Sequence, residues 1–151
     1  DDNPATTANL KAFIYRYGAP MQRIVFTPRA HFEEYKQRLK LADVFLDTFP
    51  YNCGSTTNNV VQAGLPMVSM YGKTMVSRMG LSILSSMDLA HFCVDNPADY
   101  GARVKEIAAM SAEQTTALRA HIRSACQQKN LAPEVEALIE SVFDAKEHSH
   151  A

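Results

Sequence analysis

The chain has 151 residues, 46% of them apolar, which fits a single domain with an ordinary packed core. Fifteen basic residues against sixteen acidic ones leave a net charge of −1, which excludes the broad positive field of a nucleic-acid or membrane-surface binder. Cys53, Cys93 and Cys126 are an odd set without CxxC spacing, arguing against a disulfide framework or a thiolate zinc site and for a reducing, cytoplasmic setting.

No stretch approaches the roughly 18 consecutive apolar residues that span a bilayer, and the opening DDNPATTAN lacks the basic and apolar regions of a signal peptide. The first predicted element is a helix over Leu10–Tyr17, closed by Gly18 and Pro20. A strand follows at Arg23–Thr27 (RIVFT), then a helix at Phe32–Leu41 and a strand at Val44–Thr48. Next come a helix at Thr56–Ala63, closed by Gly64 and Pro66, a strand at Met67–Met70, a helix at Met75–Ser86 and a strand at Ala90–Val94. This alternation predicts an α/β fold, a parallel sheet covered by helices.

After Asp95 only helices are expected. Asn96 caps one with Pro97 in its first turn, over Ala98–Met110, and Ser111 with Gln114 forms a capping box for the next, over Ala112–Lys129. A last helix is expected over Pro133–Lys146, with Leu118, Ile122, Val135, Leu138, Ile139 and Val142 as core stripes. The chain thus reads as one partial lobe over residues 1–151, with an α/β core over 10–95 and a helical segment over 96–146. It opens on a helix with no strand before it, whereas a doubly wound nucleotide domain has five or six strands, so its front is expected to be missing. The terminal KEHSHA, with His148 and His150, reads as tail and not as a metal site.

The most informative stretch is Leu46 to Val68, where an apolar strand runs into Gly54, Ser55, Thr56 and Thr57 at the start of a helix. A helix start offers unpaired N–H groups and about half a positive charge to an anion. Gly54 lets the backbone approach a ligand, and the three hydroxyls add donors. Asn59, one turn on, is in reach of a sugar hydroxyl. The plain alternative is that these residues cap the helix.

The preceding loop, Thr27–Arg38, offers backbone groups at Ala30, aromatic faces at Phe32 and Tyr35, and the Arg38 guanidinium. Such a set can hold a flat heterocycle by stacking and edge hydrogen bonds. Its alternative is a surface helix with a Glu34–Arg38 ion pair. A heterocycle site beside a phosphate site defines a nucleotide site. Lys73 and Arg78, after the third strand, offer charge to a phosphate, although an ion-paired Arg and a capping hydroxyl are the commoner use.

No complete catalytic constellation is visible. His91 reads as a core histidine within a strand, His121 has no acidic partner in register, and His31 lies nearest the expected pocket. Asp43 and Asp47 flank a strand without forming a carboxylate pair. Metal ligands do not cluster, and neither GxxxxGK[ST] nor GxGxxG is present.

Taken together, LADVFLDTFPYN, the Gly-Ser-Thr-Thr turn, AGLPMV and GKTMVSR, in this order and spacing, resemble the C-terminal catalytic lobe of the O-linked N-acetylglucosamine transferase and SPINDLY-like glycosyltransferases, bacterial members especially. The resemblance covers roughly Leu10 to Val104. It implies a Rossmann-like three-layer lobe of a GT-B enzyme, truncated at its N-terminus, with the partner lobe and tetratricopeptide repeats lying elsewhere. It implies an inverting transfer of N-acetylglucosamine from UDP-GlcNAc to Ser/Thr of proteins without a metal or other cofactor, and an inactive isolated chain. A UDP-hexose or GDP-fucose donor with another acceptor, or a degenerate nucleotide-binding module, are the alternatives.

By the same resemblance Ala30 meets the uracil through its backbone, Tyr35 and Arg38 flank the base, Phe32 lies near the ribose, and Ser55, Thr56 and the turn amides take the diphosphate. There are two departures from the family. Asn59 stands where an acidic residue usually holds the ribose, and Gly54 and Ser55 stand where many members carry His. Sheet edges left open by truncation would allow pairing with a second copy.

Overall fold

A computed structural model describes residues 3–128. The helix expected over 133–146, with Val135, Leu138, Ile139 and Val142, lies outside the described residues, as do His148 and His150. The chain divides into two compact units, Asp1–Gln37 and Arg38–Ala151.

In the first unit α1 covers Pro4–Arg16, starting six residues before the expected helix. The reason is local: Asn3 accepts from the amides of Ala5 and Thr6, and Pro4 occupies the first helical position, where a missing N–H costs nothing. Gly18, at φ +74°, ends the helix as expected. The strand expected at Arg23–Thr27 does not form. Arg23 closes a 3₁₀ turn over Met21–Arg23, the next residues have no ladder partner among the described residues, and Val25 is 81% exposed. An apolar run becomes a strand only where a neighbouring strand accepts its hydrogen bonds. Helix α2, Phe32–Leu41, has the expected bounds, and the division between units falls within it.

The second unit holds the sheet. Strands β1 (Phe45–Leu46), β2 (Met67–Met70) and β3 (Cys93–Val94) pair in parallel in the order β1-β2-β3. Phe45 stands opposite Met67, and Ser69 opposite Cys93. Between them run α3 (Ser55–Gln62) and α4 (Met79–Ser86), followed by α5 (Pro97–Ala108) and α6 (Ala112–Gln128). Helices α4 and α5 pack on β2, and α6 packs on α3.

With strands this short, few ladder bonds form, each worth about 1 kcal/mol net. Each fully buried Val, Leu or Met contributes about 1.5–3 kcal/mol. The unit is therefore held chiefly by side chains such as Val60, Val61, Leu65, Met67, Val68, Leu84, Leu89 and Ile122, all nearly inaccessible to solvent.

Three expected elements are shorter than or split from their sequence signal, the first being the strand expected at Val44–Thr48, which is confined to Phe45–Leu46. In Ala90–Val94 the first three residues form a 3₁₀ turn and only the last two pair. His91 is consequently exposed, tilted against Phe92 at 4.1 Å between ring centroids, and not a core histidine. The helix expected at Met75–Ser86 is split into a 3₁₀ turn, Met75–Ser77, and α4. Thr74 and Ser77 cap the turn reciprocally, ending it before α4 begins.

Candidate functional site

The loop joining β1 to α3 is organised by side chains that face inward. Asn52 is fully buried, and its Nδ2 donates to the carbonyls of Thr48 (2.8 Å) and Met70 (3.0 Å). Its backbone N–H donates to Val76, which ties the loop to the end of β2 and to the turn before α4. Asn52 Oδ1 is buried and has no hydrogen-bond partner among the described residues. The Phe49–Pro50 peptide within this loop is cis.

Asp47, at the carboxyl end of β1, is only 6% exposed. Its Oδ1 accepts from the amides of Thr48 and Cys53, both at 2.8 Å, and its Oδ2 accepts from Ser69 Oγ at 2.6 Å. Its carbonyl accepts from the Tyr100 hydroxyl at 2.9 Å. Asp47 also lines a cleft of about 190 Å³ with Phe49, Met70, Pro97 and Tyr100.

Electrostatics around this residue are felt by its neighbours. Burial and then the Asp47 charge push the Cys93 thiol up to about 12. Burial, followed by hydrogen bonding to Asp47 and its charge, also raises Cys53, and burial followed by the Asp47 charge moves the Tyr100 phenol up to about 12. The sequence places Asp47 beside a strand but gives it no role, since nothing in a strand-flanking Asp says whether it faces the solvent or the interior.

The turn that Asp47 supports is Gly54 to Thr57. Gly54 is the N-cap of α3, and no side chain caps the helix. Capping by Ser55, Thr56 or Thr57, the plain reading of the sequence, is thereby overturned. Thr57 is fully buried, and its Oγ1 donates backwards to the Cys53 carbonyl at 2.7 Å, so this hydroxyl serves the loop and not a ligand. Ser55 is exposed, and Thr56 and Asn59 are half-buried. A Cβ on Gly54 would meet only the flexible Met79 Cε, at 2.9 Å.

Arg78 donates to the Gly72 carbonyl at 3.3 Å and lies 5.9 Å from the centroid of the Tyr71 ring, while Lys73 is exposed. In the first unit Ala30 and Tyr35 are half-buried, and Phe32 is exposed with Lys36 Nζ 4.8 Å from its ring centroid. Arg38, the first residue of the second unit, is half-buried. No His, Cys, Asp or Glu cluster that could hold a metal occurs among the described residues. None of the described helices is long and apolar enough to cross a membrane.

A parallel sheet with helices packed on it, its first described strand leading into a helix start, defines an α/β lobe. The fold matches that of an O-GlcNAc transferase mutant from Thermobaculum terrenum with a TM-score of 0.83, at 20% identity, over 94% of this chain and 28% of that one. The profile of glycosyl transferase family 41 matches residues 3–138, and the chain belongs to that family.

Among curated relatives, "Probable UDP-N-acetylglucosamine--peptide N-acetylglucosaminyltransferase SPINDLY" from Eustoma exaltatum subsp. russellianum is 36% identical over 44% of this chain and 7% of its own length. The protein of the same name from Arabidopsis thaliana is 32% identical over 55% of this chain and 9% of its own length. The Arabidopsis protein whose name ends in SEC is 34% identical over 52% of this chain and 8% of its own length. The chain therefore spans less than a tenth of these relatives.

Proposed function

We propose that the Gly54–Thr57 turn binds the diphosphate of a nucleotide-sugar donor, as part of a longer inverting glycosyltransferase that moves N-acetylglucosamine from UDP-GlcNAc to Ser/Thr hydroxyls of proteins. The observation that carries this reading is the start of α3: Gly54 at its N-cap, no side-chain cap on the Ser55 and Thr56 amides, and the Thr57 amide turned onto the Gly54 carbonyl, in a chain of family 41. The departing UDP gains negative charge as the glycosidic bond breaks. Amides aimed at that charge, with the helix field behind them, stabilise it without reorganising.

Ser55 and Thr56 add hydroxyls to this cradle. Asn59 is assigned a sugar hydroxyl, which a neutral amide can both donate to and accept from. The resemblance assigns the uridine to Ala30, Phe32, Tyr35 and Arg38. The acceptor, the partner lobe and the repeats belong to the remainder of the longer protein, in a cytoplasmic setting. The names of the curated relatives support the donor and acceptor classes.

Calorimetry of the full-length protein with UDP, GDP and UDP-GlcNAc tests this. UDP and UDP-GlcNAc are expected to bind and GDP to bind at least tenfold more weakly. Thr56→Ala and Tyr35→Ala should each cost UDP about 1–2 kcal/mol through a lost hydrogen bond or stacking contact. Preference for GDP would favour a GDP-fucose donor. Absence of binding by any of the three would leave a degenerate interaction module.

A further inference from the structure

Burying a carboxylate costs several kcal/mol unless its charge is met by well-placed donors, and an apolar residue could fill the same volume without that cost. Asp47 is met by three such donors, and they tie the loop to the sheet. Its Oδ1 takes both the Thr48 and the Cys53 amide, closing the loop at its two ends, while Oδ2 is held by Ser69 from β2. Hydrogen bonds to an ionised acceptor are roughly twice as strong as neutral ones.

The Cys53 peptide is gripped on its other side as well, because its carbonyl accepts from Thr57 Oγ1 inside the first turn of α3. Ser69, Asp47, Cys53 and Thr57 thus form one continuous chain of contacts from β2 to the anion turn. Gly80 in α4 fits the same purpose: a Cβ there would collide with Ser69 Oγ and lie 2.8 Å from Asp47 Oδ2. Tyr100 fixes the Asp47 carbonyl from α5.

We propose that Asp47 is a positioning residue for donor binding: through Ser69 on one side and the Cys53 amide on the other, it sets where the amides of the Gly54–Thr57 turn point. The assignment rests on the diphosphate reading of that turn. Ser69 is fully buried and does not itself meet a ligand.

The test is UDP calorimetry with thermal unfolding on the full-length protein. Asp47→Asn retains an Oδ1 acceptor for both amides, and its NH₂ can donate to Ser69 Oγ, so UDP should weaken by no more than about threefold. Asp47→Ala strands both amides and should weaken UDP at least about tenfold, and Ser69→Ala should weaken it about three- to tenfold. Leu89→Ala creates a cavity in the buried core beside the end of α4, where the Leu89 amide donates to Leu84, and should change UDP affinity by less than about twofold despite a lower melting temperature.

Asp47→Ala and Ser69→Ala both binding UDP within twofold of the wild type would overturn the assignment, as would Leu89→Ala weakening UDP as much as Asp47→Ala. If Asp47→Ala does not fold, Ser69→Ala decides by the same thresholds. A wild-type protein that binds no UDP overturns the diphosphate reading and this one together, whereas wild-type binding with unaffected variants overturns this one alone.

Discussion

Tyr100 shows how one buried charge sets the chemistry of its neighbours. Its hydroxyl donates to the Asp47 carbonyl at 2.9 Å, and burial together with the Asp47 charge favours the neutral phenol, moving it up to about 12. An unfolded tyrosine titrates near 10, so between about pH 10 and 12 the unfolded chain has lost a proton that the folded chain keeps. The stabilisation is then complete below pH 10 and is lost as the pH rises toward 12. Chemical denaturation across this window should show the wild type losing stability relative to Tyr100→Phe, which has no proton to release. Parallel pH profiles for the two proteins would refute the account. Cys93 follows the same logic and stays a thiol, not a thiolate, through neutral pH.

The end of α3 is as strictly specified as its start. Gly64 sits at φ +69°, its amide donates to Val61, and the Leu65 amide donates to Val60, which completes a Schellman motif. A Cβ there would also lie 2.8 Å from the Arg119 carbonyl of α6. Left-handed backbone costs a non-glycine residue about 1–2 kcal/mol, and the collision adds to it, so Gly64→Ala should destabilise the chain by about 2 kcal/mol or more in urea unfolding. A loss below about 0.5 kcal/mol would show that α6 yields to the new methyl group.

This C-terminus was legible because a Gly followed two residues later by a Pro ends a helix through local backbone geometry alone. Helix α2 and the caps at Asn96 and Ser111 were legible for the same reason, whereas the apolar run of β2 became a strand because it lies between two partners. Elements that depend on distant partners were not. RIVFT has the residues of a strand but no ladder among the described residues, and AHFCV contributes only the two residues that reach β2. The Gly-Ser-Thr-Thr turn announced a helix start, but only the fold shows that Thr57 turns its hydroxyl inward. Asp47 was illegible because its role depends on Ser69, 22 residues away, and on the Cβ-free face of Gly80.

At the scale of the whole molecule, the proposed donor turn is not sufficient for transfer by itself. Inverting chemistry needs a donor, an acceptor hydroxyl and a proton acceptor held together, and much of its rate comes from that shared positioning. The described residues supply one part of this. His31, His91 and His121 are all exposed, and the chain spans 28% of the solved transferase whose fold it shares. In the proposed function, binding the diphosphate through α3 stabilises the leaving group but brings no nucleophile to the sugar. The 151-residue chain alone is therefore expected to release UDP from UDP-GlcNAc no faster than the spontaneous reaction in a coupled UDP assay, with or without an acceptor peptide. The full-length protein should turn over under the same conditions. Steady UDP release by the isolated chain would show that its own residues complete an active site and would overturn the division of labour proposed for this enzyme.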